Sequence, residues 1–382
     1  MKVPISGQVT GKEEADNVMQ VANSQSYGGF IWTNRFERGF ARFMSAREAI
    51  LCNSGSSANL LALAALELPK GSEVITTAVN FPTTVNCIIQ LGLVPVFVDS
   101  DPKTLNNINM ANVWEAISDK TRAVIMAHAL GNPVDLSGIC DWYPTIEDCC
   151  DAVGSTINGQ MVGRRGIMST VSFYPAHHIT TGEGGAVLTD SPRLRKVIES
   201  YRDWGRDCFC EPGKDNTCGK RFNYEVDHKY IYSRIGWNLK ANDLAAAVGV
   251  AQLDRLEGFI QKRRENWAYL NEGLKDLPIE IVQATPGSNP SWFGFAFLTE
   301  RRNELARYLD EHGVGSRPVM AGNLLRQPAY RKLINGVDYR VVGNLDGADL
   351  IYERGIWIGV FPGITPDMRD YQVEVIRKYF NG

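Results

Sequence analysis

Between about Ala49 and Thr189, short and nearly uninterrupted apolar runs alternate with segments of helical periodicity, and few architectures satisfy that rhythm. SGSSANLLALAALEL (54–68) reads as a turn feeding a helix, and GSEVITT (71–77) as a strand. PTTVNCIIQLG (82–92) is helical, VPVFVD (94–99) a strand and MANVWEAISD (110–119) a helix; RAVIMAHAL, PTIEDCC, STVSFY and GAVLTD read as further strands. Strands apolar on both faces and separated by helices predict an α/β fold, a mainly parallel sheet covered by helices. Ligands of such sheets sit at the carboxyl ends of the strands, where loops lead into helices.

The rhythm breaks over 200–236, which is rich in Cys, Gly, Asp and Asn without any period. Long irregular stretches inside compact domains tend to be functional. Helical patterning resumes at 242–277 and a second β/α alternation follows. The expected organisation is a large domain over 1–255, including a Cys-rich insertion at 200–236, and a smaller C-terminal α/β domain over 256–382. A length of 382 residues agrees with two to three domains at roughly 150 residues each.

Lys+Arg 40 against Asp+Glu 43 leaves a net charge of -3, so nothing marks nucleic acid as a partner. No apolar run approaches the ~18 residues a membrane span needs, and MKVPISGQVTGKEEAD lacks the apolar core of a secretory signal. The expected location is the cytoplasm, with no membrane partner. There, eight cysteines are not a disulfide framework. Cys52, Cys87 and Cys140 stand singly and read as buried thiols. Cys149-Cys150 and Cys208, Cys210 and Cys218 cluster, and clusters of soft donors are what metals use.

Three motifs carry chemistry. Asn53-Ser54-Gly55-Ser56-Ser57-Ala58-Asn59 opens a helix with small residues, leaving backbone N–H groups at the positive end of its dipole. That suits a phosphate, although it is equally the look of a capped helix start. Ile146-Glu147-Asp148 ends an apolar strand and puts a carboxylate at the ligand edge. Ser172-Phe173-Tyr174-Pro175-Ala176-His177-His178 runs into Gly182-Glu183-Gly184-Gly185, placing two of only five histidines at another strand end. Singly, each histidine reads as structural; together with an acidic strand end and a phosphate turn, they read as a site.

This order of motifs, followed by Gly236-Trp237-Asn238-Leu239 before a helix, resembles the DegT/DnrJ/EryC1/StrS family of sugar aminotransferases, from about Val3 to the C-terminus. The resemblance implies PLP-dependent transferase fold type I, the aspartate aminotransferase-like architecture. In ordinary members a lysine of the Ser-Phe motif forms a Schiff base with PLP. Here His177 stands at that position, and no lysine lies between Lys120 and Lys196. Histidine cannot re-form that linkage but can move protons, which disfavours transamination. SFYPAHHITTGEGGAV, with Gly322-Asn323-Leu324, Arg326-Gln327-Pro328 and Trp357-Ile358-Gly359, is similar to the family's Lys-to-His branch. Those are the 3-dehydrases of nucleotide-linked 4-keto-6-deoxyhexoses.

The branch has two kinds. One, from colitose formation, has no metal centre and takes its amino group from glutamate. The other, from ascarylose (3,6-dideoxyhexose) formation, carries a [2Fe–2S] cluster on four cysteines with 57, one and seven residues between them. Cys150, Cys208, Cys210 and Cys218 reproduce all three gaps. Four thiolates suit [2Fe–2S], and four cysteines around zinc are the plainer alternative. Successive strand side chains point to opposite faces, so only one of Cys149 and Cys150 should reach the cluster, and the spacing selects Cys150.

The resemblance implies pyridoxamine 5′-phosphate (PMP) as the cofactor, held without a covalent bond. Its phosphate is expected on Ser56, Ser57 and Ser172, with Asn238 reaching it from the other subunit of a homodimer. Asp148 is expected on the pyridine nitrogen and Phe81 over the ring. His177 is the expected catalytic base. Tyr174 either meets a radical intermediate or packs against the ring, and His178 and Glu183 are weaker candidates. Of the cations Arg206, Lys220, Arg221, Arg317 and Arg326, which suit a substrate diphosphate, Arg326 is retained. Electrons are expected from a separate flavin and iron–sulfur, NAD(P)H-dependent reductase, since no flavin or nicotinamide motif is visible. The competing readings are the cluster-free dehydratase, a conventional aminotransferase with a displaced lysine, and a non-catalytic nucleotide-sugar-binding relative.

Overall fold

A computed structural model describes the chain except residues 26, 29, 106–109, 211–215, 220 and 224. Its centre is an eight-stranded sheet. From one edge to the other run Glu48–Cys52, Gly185–Thr189, Met168–Ser172, Thr145–Asp148, Thr121–Ala127, Glu73–Thr77, Val94–Val98 and Arg340–Val341. All are parallel to one another except Gly185–Thr189, which is antiparallel to both neighbours. That strand is the antiparallel member of the expected mainly parallel sheet, because the chain between it and Met168–Ser172 holds no crossover helix, and parallel neighbours need one.

Neighbouring residues go to opposite faces, and both faces are covered. Val187 joins the core with Leu61, Val74 and Ile146, while Leu188 joins Phe36, Phe40 and Val250 on the other side. Phe173, just past the end of its strand, is 1% exposed, with its ring 5.0 Å from both Phe36 and Phe40. Truncating such an aromatic costs about 3–5 kcal/mol, so this packing anchors the loop that carries the histidines.

The domain boundary expected at 255/256 falls inside one continuous helix, Asp243–Leu274. Its early residues Ala246, Val250 and Leu256 pack on the large core, and Leu270 and Leu274 on the small one. A second sheet, Glu280–Ile281, Gly294–Leu298, Gly355–Gly359 and Ser316–Pro318, is antiparallel. It carries the helices Arg302–Glu311 and Pro366–Asn381. The chain also crosses back twice. Val3 bridges to Val314 and is buried in the small core, whereas Arg340–Val341 extends the large sheet.

The Cys-rich insertion leaves and re-enters at a narrow neck. Gly205, at φ 83, would place a Cβ 1.8 Å from the Arg234 carbonyl oxygen, and a Cβ on Gly236 would lie 2.3 Å from the Gly205 nitrogen. Only glycine permits that approach. Bridges between Asp203 and Asn238 and between Arg206 and Tyr232 continue the pairing outward. Among the described residues, no helix is long and apolar enough to cross a membrane.

Candidate active site and metal centre

Asp148 ends its strand with 5% of its surface exposed. Asn59 Nδ2 and Thr84 Oγ1 each donate to Asp148 Oδ2 at 2.7 Å, and the Cys150 amide donates to Oδ1 at 3.1 Å. The Thr170 hydroxyl donates to Asn59 Oδ1, which fixes the amide so that its nitrogen faces the carboxylate. Asn59 and Thr84 were not singled out by the sequence, although Asn59 lies on the first turns of the phosphate-turn helix.

That helix, Gly55–Ala64, is capped by Ser54, whose Oγ accepts from the Ser57 amide at 3.1 Å. A Cβ at Gly55 would meet Ser172 Cβ at 2.6 Å, so the helix start lies directly against the end of the strand Met168–Ser172. Ser56 and Ser57 on the helix and Ser172 on the strand are thus brought to one place, beside Asp148 on the adjacent strand. A helix N-terminus framed by hydroxyls, next to a buried carboxylate, fits a phosphorylated pyridine.

Beyond Ser172 the chain makes a tight loop. The Phe173 amide donates to the Gly184 carbonyl and the Thr181 amide to the Phe173 carbonyl, both at 2.9 Å. Buried Arg263 donates to the Phe293 carbonyl at 3.2 Å and the His177 carbonyl at 3.1 Å, so the loop is tied to the long helix. His177 Nδ1 makes no hydrogen bond among the described residues and faces Asp151 Oδ1 at 3.4 Å. Its ring centroid lies 5.3 Å from Phe293 and 6.3 Å from Tyr174. Asp151 was missed by the sequence reading, and its only signal was a second carboxylate three residues after Asp148.

The other expected residues divide. His178 is 2% exposed and donates from Nε2 to the Ser291 carbonyl at 2.9 Å. Burial holds its imidazole well below the ordinary value, and the Arg263 cation adds to the shift. It is a packing residue. Tyr174 and Phe81 keep 48% and 55% of their surface exposed and so remain available to a ring. Asn238 accepts from Lys240 Nζ at 2.6 Å. Arg326 is forked onto Asp349, with Nε 3.0 Å from Oδ1, so a diphosphate would compete with that pair. Among the other cations, Arg221 faces Asp227 at 3.7 Å and Arg317 donates to the Ser316 carbonyl; Lys220 lies outside the described residues.

Of the four expected cysteines, three meet in one convergence of donor atoms that does not include Cys150. Cys150 Sγ packs against the phosphate turn, 3.1 Å from where a Gly55 Cβ would stand, because its amide is held by Asp148. Cys149 is fully buried, and its Sγ would be 3.1 Å from a Cβ on Gly163. Instead Cys208, Cys210 and Cys218 converge with His228, all four donor atoms lying within 4.8 Å of one another. Burial pushes the Cys210 thiol up, but hydrogen bonds from Thr217, His228 and Cys218 outweigh it and bring it down to about 5. Burial raises Cys208 to about 11. Three thiols and an imidazole fit a thiophilic metal centre. His228 had been passed over, though it is the histidine of the Cys-rich stretch.

A second convergence, His128, Glu147 and Cys149, is a satisfied structural network. The Val134 amide donates to His128 Nδ1, which leaves Nε2–H to donate to Glu147 at 3.2 Å. Glu147 also accepts from the amides of Gly163, Arg165 and Gly166. Burial pushes its carboxyl up, but those donors win and hold it below the ordinary value.

The chain is 47% identical to the lipopolysaccharide biosynthesis protein RfbH of Salmonella typhimurium, over 99% of this chain and 92% of that protein. It is 48% identical to a dTDP-4-dehydro-2,6-dideoxy-D-glucose 3-dehydratase of Saccharopolyspora spinosa, covering 90% and 79%. The crystal structure of E. coli GDP-4-keto-6-deoxy-D-mannose-3-dehydratase with bound hydrated PLP superposes with a TM-score of 0.88 at 30% identity, covering 98% and 99%. The fold is therefore the PLP-dependent aminotransferase type. The family model for DegT/DnrJ/EryC1/StrS aminotransferases matches residues 8–377, and the chain belongs to that family.

Proposed function

We propose that this enzyme removes the C-3 hydroxyl of a nucleotide-linked 4-keto-6-deoxyhexose, with PMP as a non-covalently held cofactor and His177 as the base. The observation that carries the reading is His177 itself. It stands in the Ser-Phe loop where an aminotransferase of this family has its lysine, held by Arg263 and facing Asp151. Relatives with 3-dehydratase activity in their names support it, and the likeness to a lipopolysaccharide biosynthesis protein points to a deoxysugar of the cell surface.

PMP, when bound, supplies an amine for the C-4 ketone and a ring that accepts electron density. Asp148, oriented by the donors Asn59 and Thr84, would pair with the protonated pyridine nitrogen. Ser56, Ser57 and Ser172 cradle the phosphate, with Asn238 reaching it from the second subunit of a homodimer. Phe81 covers the ring, and Tyr174 borders it. His177 takes a proton from the carbon bearing the cofactor's amine and gives it to the departing C-3 hydroxyl, which leaves as water. Arg326 is the diphosphate candidate once it exchanges Asp349 for substrate.

Loss of water leaves an unsaturated sugar that needs two electrons and two protons, the protons coming from solvent, to become the 3-deoxy product. A separate flavin and iron–sulfur, NAD(P)H-dependent reductase supplies the electrons, one at a time, through a [2Fe–2S] cluster that Cys150, Cys208, Cys210 and Cys218 would hold. The test is anaerobic turnover of CDP-, dTDP- and GDP-linked 4-keto-6-deoxyhexoses with PMP, with and without iron. Water loss that stops in His177→Asn, and reduction that needs iron, is the expected result. PLP trapped on a lysine by borohydride would overturn it. A second reading, a cluster-free dehydratase driven by glutamate, is supported by the likeness to GDP-4-keto-6-deoxymannose-3-dehydratase, solved with a trapped PLP-glutamate geminal diamine. It predicts full turnover with glutamate and no iron.

A further inference from the structure

We infer that Gln8 reads carbon 2 of the hexose and so sets which sugar this enzyme accepts. The inference deepens the proposed function and rests on dehydration at C-3 for the position of the sugar.

The N-terminal segment is tied down at two places. On the small sheet, the Val3 amide donates to the Gly313 carbonyl and the Gly315 amide to the Val3 carbonyl, both at 2.8 Å. A Cβ on Gly359 would lie 2.3 Å from the Ile5 carbonyl oxygen, so the segment also presses directly on that sheet. On the long helix, Gln252 Nε2 and Arg255 Nη2 donate to the Val9 carbonyl at 2.9 and 3.1 Å. Chain ends fray unless they are tied in this way. Between the two anchors the chain runs past the base, where Gly7, Gln8 and Val9 line one cleft with Pro175, His177 and Pro362.

The other polar side chains of that cleft are engaged. His178 donates to the Ser291 carbonyl, and Thr180 Oγ1 donates to the Phe173 carbonyl and accepts from the Gly182 amide. Gln252 accepts from the Thr180 amide and donates to Glu14 as well as to Val9. Gln8 is exposed, and among the described residues no hydrogen bond holds its side-chain amide. A fixed backbone carrying an unengaged amide is what a recognition residue needs. The amide donates and accepts, as a hydroxyl does, and brings no charge to the base.

In its ring form, a 4-keto-6-deoxyhexose joined to a nucleotide through C-1 has free hydroxyls at C-2 and C-3 alone. The C-3 hydroxyl departs at His177, so a hydroxyl-binding group beside that base meets the neighbour on C-2. This carbon is also where the sugars diverge. The gluco and manno isomers of a 4-keto-6-deoxyhexose are epimers at C-2, and 2,6-dideoxy sugars lack oxygen there. The sugars in the names of two relatives, a 2,6-dideoxy-D-glucose and a 6-deoxy-D-mannose, differ at that position.

The probes are 4-keto-6-deoxyglucose, its C-2 epimer and 4-keto-2,6-dideoxyglucose, each on CDP, dTDP and GDP. Dehydration by the full chain loaded with PMP and iron gives kcat and KM. Calorimetric titration of the chain loaded with PLP, which has no amine to condense with the ketone, gives affinity without turnover. Wild type should favour one hydroxylated epimer over the 2-deoxy sugar by about tenfold or more in kcat/KM and in affinity. Gln8→Met, similar in size but without the amide, should bring both ratios to parity through KM rather than kcat, and Gln8→Asn should restore part of the preference. Circular dichroism and PMP retention check that the variants are folded. Indifference of the wild type to the three sugars, or a wild-type preference kept in Gln8→Met, would overturn the role of Gln8 and leave dehydration at C-3 standing. An equal loss on all three sugars would also overturn it, by showing that the segment only supports the loop. Water loss from none of the sugars would overturn the dehydration reading, and the affinities of the PLP form would then decide the assignment of Gln8 by themselves.

Discussion

His177 Nδ1 and Asp151 Oδ1 face each other at 3.4 Å, the imidazole tied down by its own carbonyl to buried Arg263 and the carboxylate bonded to the Leu130 amide. The pair joins two segments that the sequence keeps apart, the turn after Asp148 and the loop after Ser172. A carboxylate beside the base orients the ring and stabilises its charged form once the proton has moved.

His177→Asn should therefore slow C-3 dehydration by about 10²–10⁴-fold, the usual weight of a general base. Asp151→Asn should slow it by a smaller factor while PMP binding is kept. Water release and solvent deuterium entering the cofactor are the readouts. Unchanged turnover in Asp151→Asn would remove Asp151 from the mechanism.

Thr84→Val takes one of two hydroxyl or amide donors from Asp148 Oδ2. A hydrogen bond to a charged group contributes about 1.5–3 kcal/mol, so PMP retention should weaken by roughly 10- to 100-fold. Equilibrium dialysis measures it, and retention equal to wild type would show that Thr84 does not support cofactor binding through the Asp148 carboxylate.

Glu147 is buried beneath the sheet edge with His128 and three amides on its oxygens. Glu147→Ala should cost about 3–5 kcal/mol, the range for breaking a buried pair by removing one partner. Urea unfolding gives the number. A loss under about 1 kcal/mol would mean that the 163–166 loop re-satisfies itself with water.

Acid should weaken the fold through His178. Its folded-state value lies well below 6.5, so at lower pH the unfolded chain binds a proton that the folded chain does not. The full contribution is present above 6.5 and declines as pH falls from there toward the folded-state value, by about 1.4 kcal/mol per pH unit for one proton. Glu147, held below 4.5, adds a loss of the same sign at still lower pH. Unfolding measured from pH 7.5 to pH 5.5 should show a shallower decline in His178→Gln than in wild type, and equal slopes would rule out His178 as the group responsible.

Much of the fold was legible because local patterns have local causes. Near-continuous apolar runs such as VPVFV and AVLT can only be strands buried on both faces, and the helix starts at Ser54 and Phe81-Pro82 carry their own signals. The strand direction of Gly185–Thr189 was not legible, since it depends on what the connecting loop fails to contain. Nor was the traffic between the two cores, because Val3 and Arg340–Val341 are short segments whose partners lie far away in the chain.

For the site, the sequence by itself determined which chemistry was on offer: a phosphate turn, a carboxylate at a strand end, a histidine without a lysine and an excess of clustered cysteines. It could count the residues between Cys150 and Cys208 but not say where either sulfur points. Only the tertiary structure decided that, because a strand-end turn pinned by Asp148 sends Cys150 against Gly55, while the neck at Gly205 and Gly236 carries Cys208, Cys210 and Cys218 outward to meet His228. Spacing along a chain fixes what can be reached; the hydrogen bonds and close contacts of the folded backbone fix what is.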